Sequence, residues 1–266
     1  MIRPRVIPVL LVEDQRLVKT KNFSNRRYLG DPINALKIFT EKEVDEVIIL
    51  DIACSFQGRR PDISFLRDLA SEAMMPLTYG GGISNIDLAG EIFSSGFEKV
   101  SVQTAASLSP RFLKELVSMY GSQAIVGSVD VRADDAGNFR HWIHSVSDYS
   151  PLPLGDYLAF LLDAGVGEVF CTDVDREGTR TGLNLELVHN LSLTCPVPFV
   201  AHGGVGSLGD ISAGLEAGAD SVGIGSFSLF HGPHEALLLS YPSAKELALL
   251  SKPFVMKPDE PKVGGD

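Results

Sequence analysis

Short apolar runs alternate along the chain with longer stretches in which apolar positions recur every three to four residues. The apolar runs lack a clean alternation with polar positions, which is typical of strands buried on both faces of a sheet. Eight strands are predicted: Val6–Leu11, Glu46–Asp51, Pro76–Tyr79, Lys99–Val102, Ala124–Val131, Glu168–Thr172, Pro198–Ala201 and Ser221–Ile224. The stretches between them predict amphipathic helices, among them Pro32–Lys42, Ile63–Ala73, Pro110–Met119, Leu154–Ala164, Asn184–Leu191 and Gly209–Ala217.

This order of elements predicts an α/β fold, a single (β/α)8 TIM barrel, and the 266 residues suit that fold. The alternative, a doubly wound open sheet, needs a point where the strand order reverses, and we find none in the sequence. Residues 1–251 are assigned to the barrel. Residues 252–266 are rich in Pro, Gly and charge and predict a flexible C-terminal tail.

The second half of the chain repeats the first at an offset of 122 residues. The matched pairs include Glu46 with Glu168, Asp51 with Asp173, Pro76 with Pro198, Gly81 with Gly203, Gly82 with Gly204, Gly96 with Gly218 and Val100 with Val222. The register holds without a gap from Glu46 to Val100. We therefore expect two similar half-barrels of four βα units, related by a pseudo-twofold axis.

Two of the repeated segments predict phosphate sites. "YGGGIS" (79–84) and "VQTAAS" (102–107) follow the third and fourth predicted strands, and "HGGVGS" (202–207) and "IGSFS" (224–228) are their repeat partners. Glycines let backbone N–H groups approach an anion, and a helix that starts just beyond adds the positive end of its dipole. Thr104 and Ser226 add hydroxyl donors. A ligand with a phosphate at each end would bridge the two sites.

A third loop, "TDVDREGTRTG" (172–182), follows the sixth predicted strand and allows two interpretations. It is either a solvated acidic turn that caps a helix, or a loop whose Gly178 and Thr179 amides hold a phosphate while an acid contacts substrate. His141, His144 and His202 are scattered along the sequence, and we interpret each as structural. No metal site and no cofactor are predicted.

The composition narrows the classes of partner. A formal charge of −11 argues against nucleic acid, whereas a small phosphorylated molecule can still be held by local dipoles. No apolar run approaches the roughly 18 residues of a membrane span. Cys54, Cys171 and Cys195 are odd in number and lack CxxC spacing, so we expect reduced core thiols in a cytoplasmic protein.

Several motifs together carry a resemblance to a known family. "VIPVLLVEDQRLVKTKNF", "YGGGI", "EKVSVQTAA", "TDVDREGTRTG" and "AHGGVGS" resemble the cyclase subunit of imidazole glycerol phosphate synthase. The resemblance implies a barrel that receives ammonia from a separate glutaminase subunit at its bottom face. Ammonia then crosses the barrel to a bisphosphorylated ribulosyl substrate at the top, and the products are imidazole glycerol phosphate and an aminoimidazole carboxamide ribotide.

The resemblance also implies residue roles. Asp130, at the end of the fifth strand, matches the general acid/base aspartate, and Lys19 matches a lysine near the active site. The implied phosphate-binding residues are Gly81, Gly82, Thr104, Glu177 (where the family usually has Asp), Gly178, Gly203, Gly204, Gly225 and Ser226. The implied ammonia gate is Arg5, Glu46, Lys99 and Glu168, and the implied glutaminase contacts are Glu98 and Gln123.

The four gate residues lie at predicted strand starts, where two acids and two bases can satisfy one another at an otherwise apolar barrel end. The alternative is a set of scattered surface ion pairs worth about 0–1 kcal/mol each.

The sequence departs from the family at the end of the first strand. The family has an aspartate there, opposite the fifth-strand aspartate, and this chain has Leu11. Leucine transfers no proton, and Asp14 lies three residues further on, in the predicted turn at 13–15. Loss of a general acid or base costs about 10²–10⁴-fold in rate.

Two further departures affect the choice of function. The segment Asp134–Tyr157 begins as a hairpin turn but lacks the family's Thr-Gly pair. "RPRVIPVLL", "LGDP" and "HGPHEALLLSYP" (231–242) resemble a group of paralogues found with surface-polysaccharide genes and acetamidino-sugar formation. Three functions stay open: an ammonia-handling partner of a glutaminase and a sugar-modifying amidotransferase, an active cyclase of histidine biosynthesis, and a related sugar isomerase.

Overall fold

A ring of parallel strands forms the centre of the fold in the computed structural model, which describes residues 4–232 and 234–250. The strands are β1 (Arg5–Glu13), β2 (Arg16–Lys21), β3 (Ser24–Gly30), β4 (Val47–Asp51), β5 (Leu77–Gly80), β6 (Lys99–Val102), β7 (Ile125–Ala133), β8 (Phe139–Ile143), β9 (Asp148–Tyr149), β10 (Glu168–Asp173), β11 (Phe199–His202), β12 (Ser221–Ile224), β13 (Phe230–His231) and β14 (Ala236–Leu237). Eight of them pair in parallel in the order β1-β4-β5-β6-β7-β10-β11-β12, and β12 pairs again with β1. The ring is therefore closed, and the (β/α)8 barrel is confirmed over the open sheet.

Helices surround this ring. They are α1 (Pro32–Glu41), α2 (Cys54–Gln57), α3 (Ile63–Ser71), α4 (Ile86–Ser94), α5 (Thr104–Leu108), α6 (Pro110–Tyr120), α7 (Leu154–Asp163), α8 (Leu185–Ser192), α9 (Leu208–Glu216), α10 (Ser226–Leu229) and α11 (Ala244–Leu249). Each of the six named helix predictions matches an observed helix to within about two residues. The predicted tail at 252–266 lies outside the described residues. Among the described residues, no helix has both the length and the apolar character that crossing a bilayer demands.

The first strand is longer than predicted. It continues past Leu11 to Glu13, because antiparallel pairing with β2 extends it beyond the barrel. The two-residue turn Asp14-Gln15 has φ angles of 50° and 62°, which is the conformation that suits a tight hairpin. Leu11 is thus an interior position of a strand rather than its last residue.

Both half-barrels insert a hairpin after their first strand. β2 and β3 follow β1, and β8 and β9 follow β7. The predicted turn at Asp134–Gly137 is confirmed as the start of the second hairpin, where the Gly137 amide donates to the Asp134 carbonyl at 2.8 Å. These hairpins lie at the carboxyl ends of the strands, and their residues line the mouth of the barrel.

Strand alternation separates two apolar regions. Inward-facing residues of β1, β4, β7, β10 and β11 form a small core inside the ring together with Val18 of the first hairpin, namely Ile7, Val9, Leu11, Val18, Ile48, Val126, Phe170 and Val200. The opposite faces pack against the helices in a much larger core, which includes Phe39, Tyr79 and Phe199. Since successive side chains of a strand point to opposite faces, Leu11 in β1 and Asp130 in β7 both belong to the inside.

The helices that follow the two glycine-rich loops begin with matched caps. The Asn85 side chain accepts from the Leu88 amide at the start of α4, and Ser207 forms a capping box with Asp210 at the start of α9. These caps hold both helix N-termini beside the loops, where their dipoles favour anions.

Gly178, in the loop that follows β10, lies where the first hairpin packs closely on that loop. It has φ of 78°, and an added Cβ would collide with the Thr20 carbonyl. Gly137 has φ of 84° and no atom within 4 Å of its Cβ position. We expect Gly137→Ala to cost about 1–2 kcal/mol for the left-handed backbone, and Gly178→Ala to cost at least about 2 kcal/mol more. Urea unfolding measures both, and equal losses would contradict the packing argument.

Candidate functional site

Leu11 and Asp130 line one cavity at the mouth of the barrel, with a volume of about 920 Å³ that includes its opening to solvent. Their strands, β1 and β7, are four places apart in either direction around the eight-stranded ring and thus lie opposite each other. Leu11 is only 6% exposed and packs with Val9 and Phe170 in the inner core. The position where the sequence lacks an acid is therefore an apolar wall of the mouth.

Asp130 is the acid that remains on the opposite wall. Burial raises the pKa of its carboxyl to about 7, and the negative charge of Glu177 adds to the shift. A carboxyl with a pKa near neutrality can both accept and donate a proton under physiological conditions, which is the property a general acid/base needs.

Lys19 and Glu177 form a buried ion pair between the first hairpin and the β10 loop. The second carboxylate oxygen of Glu177 accepts from the Thr20 hydroxyl at 3.0 Å and from the Phe23 amide at 3.2 Å. Both oxygens are thus occupied within the protein. The arrangement fixes Lys19 at the edge of the mouth, and it places Glu177 in contact with the hairpin rather than on the glycine-rich loops.

The two predicted phosphate sites are separate cavities beside the mouth. The first has a volume of about 1380 Å³ including open solvent and is lined by Gly82, Ser84, Asn85 and Thr104. The second, about 200 Å³ on the same measure, is lined by Lys19, Gly178, His202, Gly203, Gly204, Val205, Gly223, Gly225 and Ser226. All nine predicted phosphate-binding residues line these two cavities or the mouth, and Gly81 and Glu177 are the two that line the mouth alone.

The backbone at the two Gly-Gly turns is equivalent. A Cβ on Gly81 would overlap the carbonyl oxygen of Asp51, and a Cβ on Gly203 would overlap that of Asp173. The carboxylates of Asp51 and Asp173 each accept two backbone amides from the loop that follows their strand. Only glycine allows this close approach of successive loops, so the same geometry supports both cavities.

A hydrogen-bonded chain connects the first phosphate cavity to the second hairpin. The Thr104 hydroxyl lies 3.1 Å from Gln103 Oε1 and 3.3 Å from Ser145 Oγ. Gln103 Nε2 donates to the Trp142 carbonyl at 2.7 Å and lies 3.3 Å from His141 Nε2. The segment Asp134–Tyr157, which contains the second hairpin, therefore holds Thr104 and Gln103 in place.

The four predicted gate residues meet at the opposite end of the barrel. Arg5 contacts Glu46 at 2.6 Å and also pairs with Glu168. Lys99 reaches Glu46 at 2.9 Å and Glu168 at 2.8 Å. Each cation thus joins both acids in a closed ring, and the glutamates are buried. The alternative of scattered surface ion pairs does not describe this arrangement. Glu98 and Gln123 are exposed at the same end, just before β6 and β7.

Although they are scattered along the sequence, His144 and His202 line the same cavity in the fold. His202 Nδ1 lies 3.2 Å from the Thr172 hydroxyl, and burial together with the charge of Lys19 lowers its pKa to about 3. Sequence reasoning also missed Gln103 and Asp51 as lining residues. For His202 the signal was available, since it replaces the repeat partner Gly80.

Comparison with known proteins assigns the chain to a family. The model of the histidine biosynthesis protein family matches residues 5–234. The chain belongs to this family. A Pseudomonas aeruginosa protein named "Putative imidazole glycerol phosphate synthase subunit hisF2" is 43% identical over 251 residues, which cover 93% of this chain and 99% of that protein. The imidazole glycerol phosphate synthase subunit HisF of Chlorobium limicola is 33% identical over 233 residues, 87% of this chain and 91% of that protein.

A Leptospira borgpetersenii protein named "Putative imidazole glycerol phosphate synthase subunit HisF" is 38% identical over 248 residues, which cover 92% of this chain and 98% of that protein. These relatives match over nearly their whole length. The chain is thus a HisF-like barrel, in agreement with the motifs.

The raised pKa of Asp130 predicts a pH-dependent stability. Between about pH 4, where an unfolded aspartate titrates, and pH 7, native Asp130 holds a proton that the unfolded chain has lost. The free energy of unfolding should fall as the pH rises through this window, by about 2–4 kcal/mol relative to Asp130→Asn. Urea unfolding of both proteins from pH 4 to 8 measures the difference. Asp163→Asn, at an exposed position of α7, is the control, and a constant gap between wild type and Asp130→Asn would contradict the prediction.

Proposed function

We propose that the barrel is the subunit that pairs with a glutaminase, receives its ammonia at the bottom face and passes it to a separate acceptor enzyme. The observation that carries the proposal is the combination of a closed ring of charge at the bottom with Leu11 at the top. A ring of two acids and two bases inside a barrel end is costly to desolvate, which argues for a functional reason for its presence. The names of the relatives as subunits of imidazole glycerol phosphate synthase support a partner of this kind.

The interior between the ring and the mouth supports passage of a small neutral molecule. The mouth cavity reaches down to Gly80, Ser101 and Ser128, which have small side chains or none. One layer lower, the Thr78 hydroxyl donates to Glu46 of the ring at 2.8 Å. Side chains of this size leave room along one side of a barrel that is otherwise filled by branched and aromatic residues.

The mouth itself supports a barrel with weak ring-closing chemistry of its own. Ring closure requires one group to remove a proton and another to deliver one, and Asp130 faces Leu11 across the mouth. The other two acids that line the cavity are engaged within the protein, since Asp51 accepts two backbone amides and Glu177 pairs with Lys19. Leu11 packs in the inner core, and Glu13, two residues further along the same face of β1, pairs with Arg26. We therefore assign Asp130 and Lys19 as what remains of the catalytic set.

For the acceptor, we propose an amidotransferase that forms acetamidino sugars of a surface polysaccharide. The support is the resemblance of "RPRVIPVLL", "LGDP" and the segment His231–Pro242 to paralogues with that association. Arg27, two residues before "LGDP", reaches the last segment, since it pairs with Glu235 at 3.6 Å and stacks on Phe230, just before that segment, with its guanidinium 5.1 Å from the ring centroid.

The second candidate is an active cyclase of histidine biosynthesis. The near-neutral pKa of Asp130, the placement of Lys19 and the two phosphate cavities favour it. The sugar isomerase has weaker support, because that reaction does not require the charged ring at the bottom.

The ammonia-dependent cyclase assay separates the first two candidates. Under our proposal the purified barrel, given ammonium salt and the bisphosphorylated ribulosyl substrate, forms imidazole glycerol phosphate at least about 10²-fold more slowly than an active cyclase assayed in parallel. Leu11→Asp should raise the rate, since it restores an acid opposite Asp130, whereas Leu11→Asn should not. A wild-type rate equal to that of the active cyclase would overturn the proposal.

The charged ring gives a separate prediction for the complex of barrel, glutaminase and acceptor enzyme. Lys99→Ala removes one of the two cations that join Glu46 to Glu168, so transfer of ammonia from glutamine should change by about tenfold or more. Product formation from added ammonium salt should stay within about twofold, because ammonia then enters from solvent. Lys114→Ala, on the exposed side of α6, is the matched control. Equal loss of both activities would count against a gate.

A further inference from the structure

Three ring side chains from three different loops line the upper part of the mouth cavity. Phe23 lies at the β2–β3 turn, Phe56 on α2, and His144 directly after β8. The His144 ring meets Phe23 edge-on at a centroid distance of 5.2 Å and lies 29° from parallel to Phe56 at 6.1 Å. Together they present an aromatic platform to any ligand that enters the mouth.

The position of Phe23 is constrained in an unusual way. Its φ is 57°, in the left-handed region that bulky side chains rarely adopt, and Asn22 before it has φ of 53°. Glu177 holds both residues, since its carboxylate accepts from the Phe23 amide and its carbonyl from the Asn22 amide at 2.8 Å. The two angles are those of a tight hairpin turn, as at Asp14-Gln15, and the hydrogen bonds to Glu177 fix that turn so that Phe23 lines the mouth.

Phe56 adds a second observation, because its side chain is 53% exposed although it lines a cavity. An exposed aromatic ring at a cavity edge is available for stacking on the π-face of a ligand. Fold stability does not account for its exposure.

The platform is continuous with the first phosphate cavity, since Ser55 and Thr104 line both. That cavity also contains two guanidinium groups, of Arg59 and Arg60, beside Gly82. Arg59 pairs with Asp14 at 2.8 Å, and Arg60 pairs with Glu91. Two arginines supply more donors than one phosphate needs, and their planar geometry suits phosphate oxygens.

We infer that this end of the mouth binds a nucleoside diphosphate group, with its base on the Phe23–Phe56–His144 platform and its phosphates beside Gly82, Arg59 and Arg60. The two cavities are large enough for a ligand of that size. Such a ligand uses only the first phosphate cavity and thus differs from one with a phosphate at each end. The inference goes beyond ammonia transfer and does not depend on it.

Calorimetric titration of the isolated barrel at constant ionic strength tests the inference. We expect UDP and ADP to bind about tenfold or more tighter than ribose 5-phosphate or pyrophosphate. The reason is that ribose 5-phosphate lacks the base and pyrophosphate lacks the whole nucleoside. Equal affinity for UDP and UDP-glucose would support a nucleotide sugar as the ligand, and tighter binding of UDP would support a free nucleotide. Equal affinity for UDP and ribose 5-phosphate would overturn the inference.

Variants separate the two halves of the site. Phe56→Ala should weaken UDP about fivefold or more and leave pyrophosphate within about twofold, because only the base contact is lost. Val146→Ala, exposed on the turn next to His144, is the control. Arg59→Gln should weaken UDP and pyrophosphate alike, with the exposed Arg111→Gln as its control. Phe56→Ala without effect on UDP would refute the platform. Since neither glutaminase nor turnover is involved, this failure would leave the ammonia proposal untouched.

Discussion

Closure of eight parallel strands into one ring is the constraint on which the rest of the molecule depends. Pairing of β12 with β1 leaves no free edge in the barrel and forces alternate side chains of every strand into a common interior. Within that interior each level has its own chemistry. A charged ring occupies the bottom, small and apolar residues fill the middle, and Asp130 faces Leu11 across the top. No local interaction could arrange residues so distant in sequence.

The Lys19–Glu177 ion pair joins the first hairpin to the loop after β10 at the mouth of the barrel. Buried pairs of this kind contribute little net stability because both charges must be desolvated, but they specify geometry well when their remaining oxygens are satisfied. Here one carboxylate holds Lys19 and the tip of the β2–β3 hairpin, and its charge further raises the pKa of Asp130. Glu177 therefore influences both Asp130 and the aromatic platform.

Leu11 makes the wall opposite Asp130 apolar. An apolar side chain at position 11 extends the inner core upward to the mouth. The function proposed above assigns this mouth, with Asp130, a fixed lysine and aromatic walls, to the passage of ammonia rather than to ring closure. The charged ring at the other end is unaffected, since it lies on the far side of the inner core.

Sequence patterns alone predicted the positions of the strands and helices and the two glycine-rich loops, because these depend on local periodicity and on motifs within short segments. Leu11 can be read from the sequence directly. The end of β1, the grouping of His144 with His202, and the platform of Phe23 and Phe56 could not be predicted in this way. They arise where loops separated by tens to more than a hundred residues meet above the closed ring, and their contacts depend on three-dimensional distance. The sequence by itself determined which residues are present at the strand ends, and only the tertiary structure decided which of them share a cavity.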